Sequence, residues 1–360
     1  MEKHYINKNL LLKEEVETGR FAWRSPSNIA LVKYWGKFAT QLPCNPSVSL
    51  TLSESTTVMD LSYSFKDFKS KDISLSYFFE NKEAPKFKEK IEKFLTSILD
   101  IFPFLAQLDL EFNSSNTFPH STGIASSASS MSALALCLCS LERELFGNLQ
   151  DEAEFLQKAS YIARLGSGSA CRSVYPYAAT WGEYSNENSS LYFASPLTKI
   201  HDIFKTYEDS ILIVSSEEKA VSSRVGHSLM KDHPFASVRF DHAKENIEKI
   251  LWALENGDLK VFGEILEQEA LELHGLMMNS TPSFILMRPN TLVIIEKIRE
   301  FRAQTELPVY FTLDAGPNIH LLYPANIKEE VRTFIKDELV SFLENGQVIY
   351  DRVGLGALDL

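Results

Sequence analysis

Residues 25 to 53, SPSNIALVKYWGKFATQLPCNPSVSLTLS, constrain the fold more than any other stretch of the chain. Ile29, Ala30, Leu31 and Val32 read as a buried strand, and Lys33 follows at once. A buried ammonium is costly unless something negative meets it. The strand must therefore end at the surface, where the lysine snorkels, or in a cleft to which the fold brings an anion from elsewhere. Tyr34, Trp35 and Gly36 separate Lys33 from a second cation, Lys37, and Asn28 and Asn45 flank the pair. Taken alone, the segment is divided evenly between these two readings. Three later segments favour the cleft.

The first of these runs from Phe118 to Ala128, FPHSTGIASSA, a loop whose Gly123 feeds a helix starting at Ser126. Such a junction presents free backbone N–H groups and a positive helix end, and its small residues let a phosphate approach closely. Ser126 as a mere N-cap is the simpler alternative. The second, Gly166 to Ser173, GSGSACRS, joins hydroxyls to a guanidinium able to grip a carboxylate or phosphate at two points. It is a near-miss to the dinucleotide fingerprint and precedes a strand, so that reading is poor. In the third, Phe311 to Asn318, FTLDAGPN, an apolar strand ends in Asp314. An aspartate there is often only a turn-former, and becomes a general base when partners lie close.

Composition narrows the class. The 360 residues are 44% hydrophobic and 23% charged, ordinary for a globular protein. A net charge of -12 repels polyanions, which argues against nucleic acid or an acidic membrane as partner. The amino-terminal residues alternate charges, and the longest nearly apolar run, Met131 to Leu141, is far shorter than a membrane span, so a cytosolic location is expected. Cys44, Cys137, Cys139 and Cys171 lack zinc-site spacing and read as reduced, the middle two as core residues. No HExxH, GxSxG or Walker motif occurs.

Periodicity predicts strands at Ser47–Leu52, Thr57–Ser64, Ile73–Phe79 and Leu108–Phe112, with a helix at Phe87–Leu99. Helices are predicted from Ser126 to near Gly147 and, with Asp151 as N-cap, on to Gly166. Residues 185–208 read as a polar connection and a boundary. Beyond it, helices at Asp241–Glu255, Leu259–Leu276, Thr291–Arg302 and Lys328–Leu343 would cover strands at Ser210–Ser215, Val309–Leu313, Ile319–Tyr323 and Val348–Asp351.

In this order and at these intervals, NIALVKYWGK, NPSVSLTLS, PHSTGIASSAS, ARLGSGSACRS and FTLDAGPN resemble the diphosphomevalonate decarboxylases, members of the GHMP kinase superfamily. The resemblance spans roughly Arg24 to Tyr323 and implies an α+β fold. It comprises a ribosomal-protein-S5-like domain at 21–195 after an extension at 1–20, and a ferredoxin-like domain at 196–360, with the active site in the cleft between them. It implies ATP and Mg2+ as co-substrate and metal, mevalonate diphosphate as substrate and a homodimeric enzyme. By resemblance, Asp314 handles the hydroxyl proton, Lys33 offsets negative charge beside it, and Arg172 with Asn28 holds the substrate carboxylate. Tyr34, Lys37 and Ser169 would hold the diphosphate, and Pro119, Gly123, Ile124, Ala125, Ser126, Ser127 and Ala128 the ATP phosphates, Ser127 being nearest the metal.

The sequence departs from the family pattern in two places. His120, Ser121, Thr122 and Ile124 alter the phosphate loop, and Lys86 and Lys88 stand where an arginine for the diphosphate is expected. Three rivals follow: a phosphomevalonate decarboxylase, a kinase that stops at phosphorylation, and a binding protein without turnover. His274 and Arg164 read as structural, and Met277 and Met278 as core or cleft lining.

Overall fold

The computed structural model describes residues 5–67, 72–118, 126–217 and 221–360. Strand β1 (Gly19–Val32) is followed by β2 (Ser47–Phe65), β3 (Ser74–Phe79), helix α1 (Pro85–Ser97), β4 (Leu108–Asn116), α2 (Ser126–Phe146), α3 (Glu152–Gly166), β5 (Ala178–Gly182) and β6 (Ser190–Pro196). The second half adds β7 (Glu208–Leu212), α4 (Ser223–Ser228), α5 (Ala236–Asn256), α6 (Leu259–Met278), α7 (Pro289–Thr305), β8 (Tyr310–Thr312), β9 (Ile319–Tyr323), α8 (Lys328–Phe334), β10 (Val348–Arg352) and β11 (Leu358–Asp359).

The first sheet has the order β11-β1-β2-β4-β3, with β5 pairing the start of β2 and β6 pairing β5. Its pairs are antiparallel except β3 with β4. The second sheet, β8-β9-β7-β10, is antiparallel throughout. Local chemistry sets several boundaries. Asp151 caps α3 by accepting the Glu154 N–H at 2.9 Å, and α5 ends where Gly257 turns left-handed at φ 75°. Asp258 then caps α6 through the Val261 N–H.

Three expectations change. Ser47–Leu52 and Thr57–Ser64 are one strand, because the polar stretch between them is satisfied from outside: Asp351 of β10 accepts the N–H groups of Ser53, Glu54 and Ser55 at 2.7–2.9 Å. The supposed polar connection at 185–208 contains β6, a half-buried edge strand that its neighbouring asparagines and serines disguise. The last helix is α-helical only to Phe334 and continues as a π turn, Ile335–Leu339, and a 3-10 turn, Val340–Phe342.

One core lies between the first sheet and helices α2 and α3, with Trp23, Met59, Leu134, Leu138 and Phe155 at its centre. Another lies beneath the second sheet, around Ile294, Phe311, Leu321 and Ile335. Between them a third core joins Ile29, Leu31, Val48 and Leu50 to Ile211, Ile247 and Phe262. The far end of β1 is thus buried on both sides, which explains its continuous apolar run. That end carries the chain to the junction of the two sheets.

Candidate active site

Lys33 follows β1 directly, and its Nζ donates to Asp314 Oδ1 at 2.9 Å. The lysine side chain is 2% exposed and that of Asp314 28%, so the pair opens to solvent on the carboxylate side. Burial lowers the Lys33 pKa, opposed by Asp314 and Glu269. Asp314 sits in the turn after β8, which is held from three directions. Gly316 N–H reaches the Asp314 carbonyl at 2.7 Å, His274 Nε2 lies 3.1 Å from the same oxygen, and Asn318 Oδ1 accepts the N–H groups of Val214 and Ser215.

Arg172 ends the 3-10 turn Gly168–Arg172 after α3. Its guanidinium donates from Nε to Ser49 Oγ at 2.9 Å, from Nη1 to Ser47 Oγ at 2.6 Å and from Nη2 to Asn28 Oδ1 at 3.3 Å. Ser47 and Ser49 face it because strand residues alternate, and Val48 and Leu50 point into the core. Asn28 is aimed by a register shift between Pro26 and Asn28 and held by its Nδ2, which reaches Ser173 Oγ at 2.7 Å and the Ser169 carbonyl at 3.2 Å. Among the described residues no carboxylate forms an ion pair with Arg172, though it is buried. A buried guanidinium hydrogen-bonded to neutral oxygens is prepared for an external anion. Burial lowers the Arg172 pKa, while Asp314 acts on it through space in the opposite sense, so both cations feel the same carboxylate.

The backbone of Lys33 is clamped from the second half of the chain. Glu269 on α6 accepts the Lys33 N–H at 2.8 Å, and Arg239 on α5 donates to the Lys33 carbonyl at 3.1 Å. The two are themselves a buried ion pair, with contacts of 2.8 and 2.5 Å, and Asn246 donates to Glu269 at 2.7 Å. Asn45 donates to the Lys33 carbonyl from the other side at 2.9 Å.

The aromatic stretch after Lys33 forms a second face. Tyr34 meets Trp181 edge-on at 4.7 Å and lies 4.3 Å from the His227 ring, and its buried hydroxyl has no hydrogen-bond partner among the described residues. Gly168 permits this approach: a Cβ there would lie 2.9 Å from both rings. Gly36, at φ 97°, donates its N–H to His227 Nδ1 at 3.0 Å, which leaves the ring proton on Nε2. Burial, reinforced by Lys37, pushes the His227 pKa down to about 3. Lys37 Nζ donates to Gln41 at 2.9 Å.

Residues 25–192 match the model described as "Diphosphomevalonate decarboxylase-like N-terminal domain", and residues 210–352 that described as "Mevalonate 5-diphosphate decarboxylase C-terminal domain". The diphosphomevalonate decarboxylase of Ganoderma lucidum is 30% identical over 341 residues, covering 87% of this chain and 80% of its own. The chain belongs to the diphosphomevalonate decarboxylase family. Among solved structures, the mevalonate diphosphate decarboxylase from Staphylococcus aureus is similar at a TM-score of 0.81 and 29% identity, covering 96% of this chain and 98% of that one. A complex of the protein written MDDEF with MVAPP, AMPPCP and magnesium is similar at a TM-score of 0.80 and 28% identity, covering 96% and 99%. The fold is the two-domain GHMP kinase fold of this decarboxylase family.

Of the residues singled out in the sequence, Lys33 bonds to Asp314 and Arg172 to Asn28, the two pairs act on each other through charge, and the half-buried Ser169 meets Asn28 through its carbonyl. Tyr34 and Lys37 lie on the adjoining aromatic face. Of the segment expected to wrap the ATP phosphates, Pro119, Gly123, Ile124 and Ala125 fall outside the described residues, as do His120, Ser121 and Thr122. Ser126, Ser127 and Ala128 open α2, and Ser127 Oγ lies 3.3 Å from Ser167 Oγ, joining that helix start to the Gly/Ser turn. Lys86 and Lys88 are exposed on α1. Among the described residues no group of three His, Cys, Asp or Glu side chains could hold a metal, and no helix is long and apolar enough to cross a membrane.

Sequence reasoning missed Ser47, Ser49, Glu269, Arg239 and His227. The serines read as the polar face of a strand, and Glu269 and Arg239 look like charges on ordinary amphipathic helices.

Proposed function

We propose that this chain converts mevalonate diphosphate and ATP into isopentenyl diphosphate, ADP, phosphate and carbon dioxide. The observation that carries the proposal is the Lys33–Asp314 pair at 2.9 Å beside Arg172, a buried cation with no ion-paired carboxylate among the described residues. A tertiary alcohol is a weak nucleophile. Asp314 takes its proton as the γ-phosphoryl group is transferred, a contribution of about 10²–10⁴ in rate. Lys33 holds that carboxylate ionised and offsets the incoming phosphate charge.

Phosphate then leaves with the C–O bonding electrons. The tertiary carbon becomes electron-poor, and the electrons of the bond to the carboxylate carbon form the alkene as carbon dioxide departs. The carboxylate must stay ionised throughout. Arg172 orients it through the fixed fork that Ser47, Ser49 and Asn28 brace, and a guanidinium does not give up its proton. Tyr34, Lys37 and Ser169 hold the diphosphate, the buried Tyr34 hydroxyl, without a partner among the described residues, being the donor best suited to it.

ATP phosphates are assigned to Ser126, Ser127 and Ala128 at the start of α2, together with Pro119, Gly123, Ile124 and Ala125 before it. Magnesium, when bound, would neutralise charge on those phosphates, and Ser127 would be the residue to hold it. A cation bound mainly through phosphate oxygens needs no dedicated carboxylate cage, which fits the side chains present. A homodimer and a cytosolic location belong to the same proposal on the strength of the motif resemblance, and light scattering tests the former.

The test is a substrate panel of mevalonate, its monophosphate and its diphosphate, each with ATP and magnesium, following carbon dioxide and ADP. Carbon dioxide from the diphosphate is the expected result. Carbon dioxide from the monophosphate alone would move the assignment to a phosphomevalonate decarboxylase, and ADP without carbon dioxide would reduce it to a kinase.

A further inference from the structure

Beneath the Asp314–Lys33 pair, on the face of the second sheet that meets β1 and β2, lies a buried histidine–carboxylate pair. His320 Nδ1 of β9 is 2.7 Å from Asp209 Oδ2 of β7, with side chains 4% and 1% exposed. His320 stands opposite Thr312 in the β8–β9 ladder, and Asp314 follows two residues later. Cross-strand pairing puts Thr312 on the same side of the sheet as His320, and the turn that follows carries Asp314 to where its charge and the His320 ring act on each other. The groups that bear on the pair are Asp314 from the turn after β8, Lys33 from the end of β1 and Asp351 from β10. Asp351 is itself occupied by the backbone N–H groups of Ser53, Glu54, Ser55 and Arg352. The other oxygen of Asp209 has no partner among the described residues, and burial raises the Asp209 pKa, with Asp351 and Asp314 adding to the rise and His320 opposing it.

We propose that His320 is a positioning residue for the reaction: paired to Asp209 and carrying a proton, it lays a fixed positive charge beneath Asp314, which keeps that carboxylate ionised and available as a base. Burial pushes the ring towards neutrality, but Asp209, with Asp314 adding to it and Lys33 opposing, holds its pKa above the ordinary histidine value. The inference rests on the reading of Asp314 as the base.

The test compares the pH dependence of carbon dioxide release in wild type, His320→Gln and His320→Lys. Loss of the charge moves the acid limb of kcat/KM up by about one pH unit in His320→Gln, and the lysine variant restores it. An unmoved acid limb in His320→Gln, or an equal loss of activity in both variants, overturns the proposal. A second readout needs no His320 variant. NMR titration of the His320 ring in wild type and Asp314→Asn should show a lower ring pKa in the variant. An identical pKa in both contradicts the coupling, whether or not Asp314 proves to be the base. Carbon dioxide release that survives Asp314→Asn overturns the reading of the base instead.

Discussion

Arg172 is the residue at which charge and geometry can be separated. Its guanidinium is braced by Ser47, Ser49 and Asn28, so Arg172→Lys keeps a cation but loses the fork. We expect kcat/KM for the diphosphate substrate to fall about 100-fold, with ATP affinity unchanged by isothermal titration. Restoration of full activity by lysine would show that a point charge suffices. Asn28→Ala removes one acceptor from the same guanidinium and should cost about tenfold, read in the same assay. At this scale much of the candidate site was legible. Lys33, Arg172 and Asp314 are ionisable residues written where a buried strand or a tight turn should be apolar or neutral, and that conflict is visible without a structure. Ser47 and Ser49 carried no such conflict, because a serine in an alternating strand is unremarked until the fold shows what faces it.

The end of β1 depends on helices more than two hundred residues away. Glu269 and Arg239 hold both the N–H and the carbonyl of Lys33, and each is fully buried. Glu269→Gln leaves Arg239 with only the more exposed Glu272, 3.2 Å from its Nη1, as counter-charge, and urea unfolding should show a loss of about 1.5–3 kcal/mol, with kcat reduced as Lys33 loses its backbone anchor. Retention of wild-type stability would mean that the clamp is dispensable. His227, on the short helix α4, has a pH signature of its own. Its folded-state pKa is depressed to about 3, so the unfolded chain binds the extra proton as pH falls below the ordinary histidine value. Stability is therefore lost as pH drops through about 6.5 towards 3, at up to about 1.4 kcal/mol per pH unit, and His227→Gln should flatten that slope in denaturation curves taken across this window. Element types were readable from periodicity and caps, as at Asp151. Long-range satisfaction was not: β2 crosses its polar centre because Asp351 meets it, and nothing local to residues 53–55 announces a carboxylate almost three hundred residues on.

As a whole, the molecule joins its two sheets through a shared apolar core rather than a wet interface. Ile29, Leu31 and Val48 pack with Ile211, Ile247 and Phe262, Asp351 grips β2, and β11 returns to pair with β1. The two halves should therefore unfold in one calorimetric transition. Asp351→Ala, which frees four backbone N–H groups, should lower stability by about 3–5 kcal/mol, and a split into two transitions in wild type would contradict the shared core. The same union places Lys33 from one half against Asp314 from the other, so the proposed chemistry requires both halves. The direct test of that chemistry is the stoichiometry of ADP and carbon dioxide released from mevalonate diphosphate by wild type and by Asp314→Asn, with substrate binding measured in parallel. The account predicts one carbon dioxide per ADP in wild type, and in the variant a fall of both by about 10²–10⁴ while the substrate still binds. Equal release by the variant, or ADP formed without carbon dioxide in wild type, would contradict it.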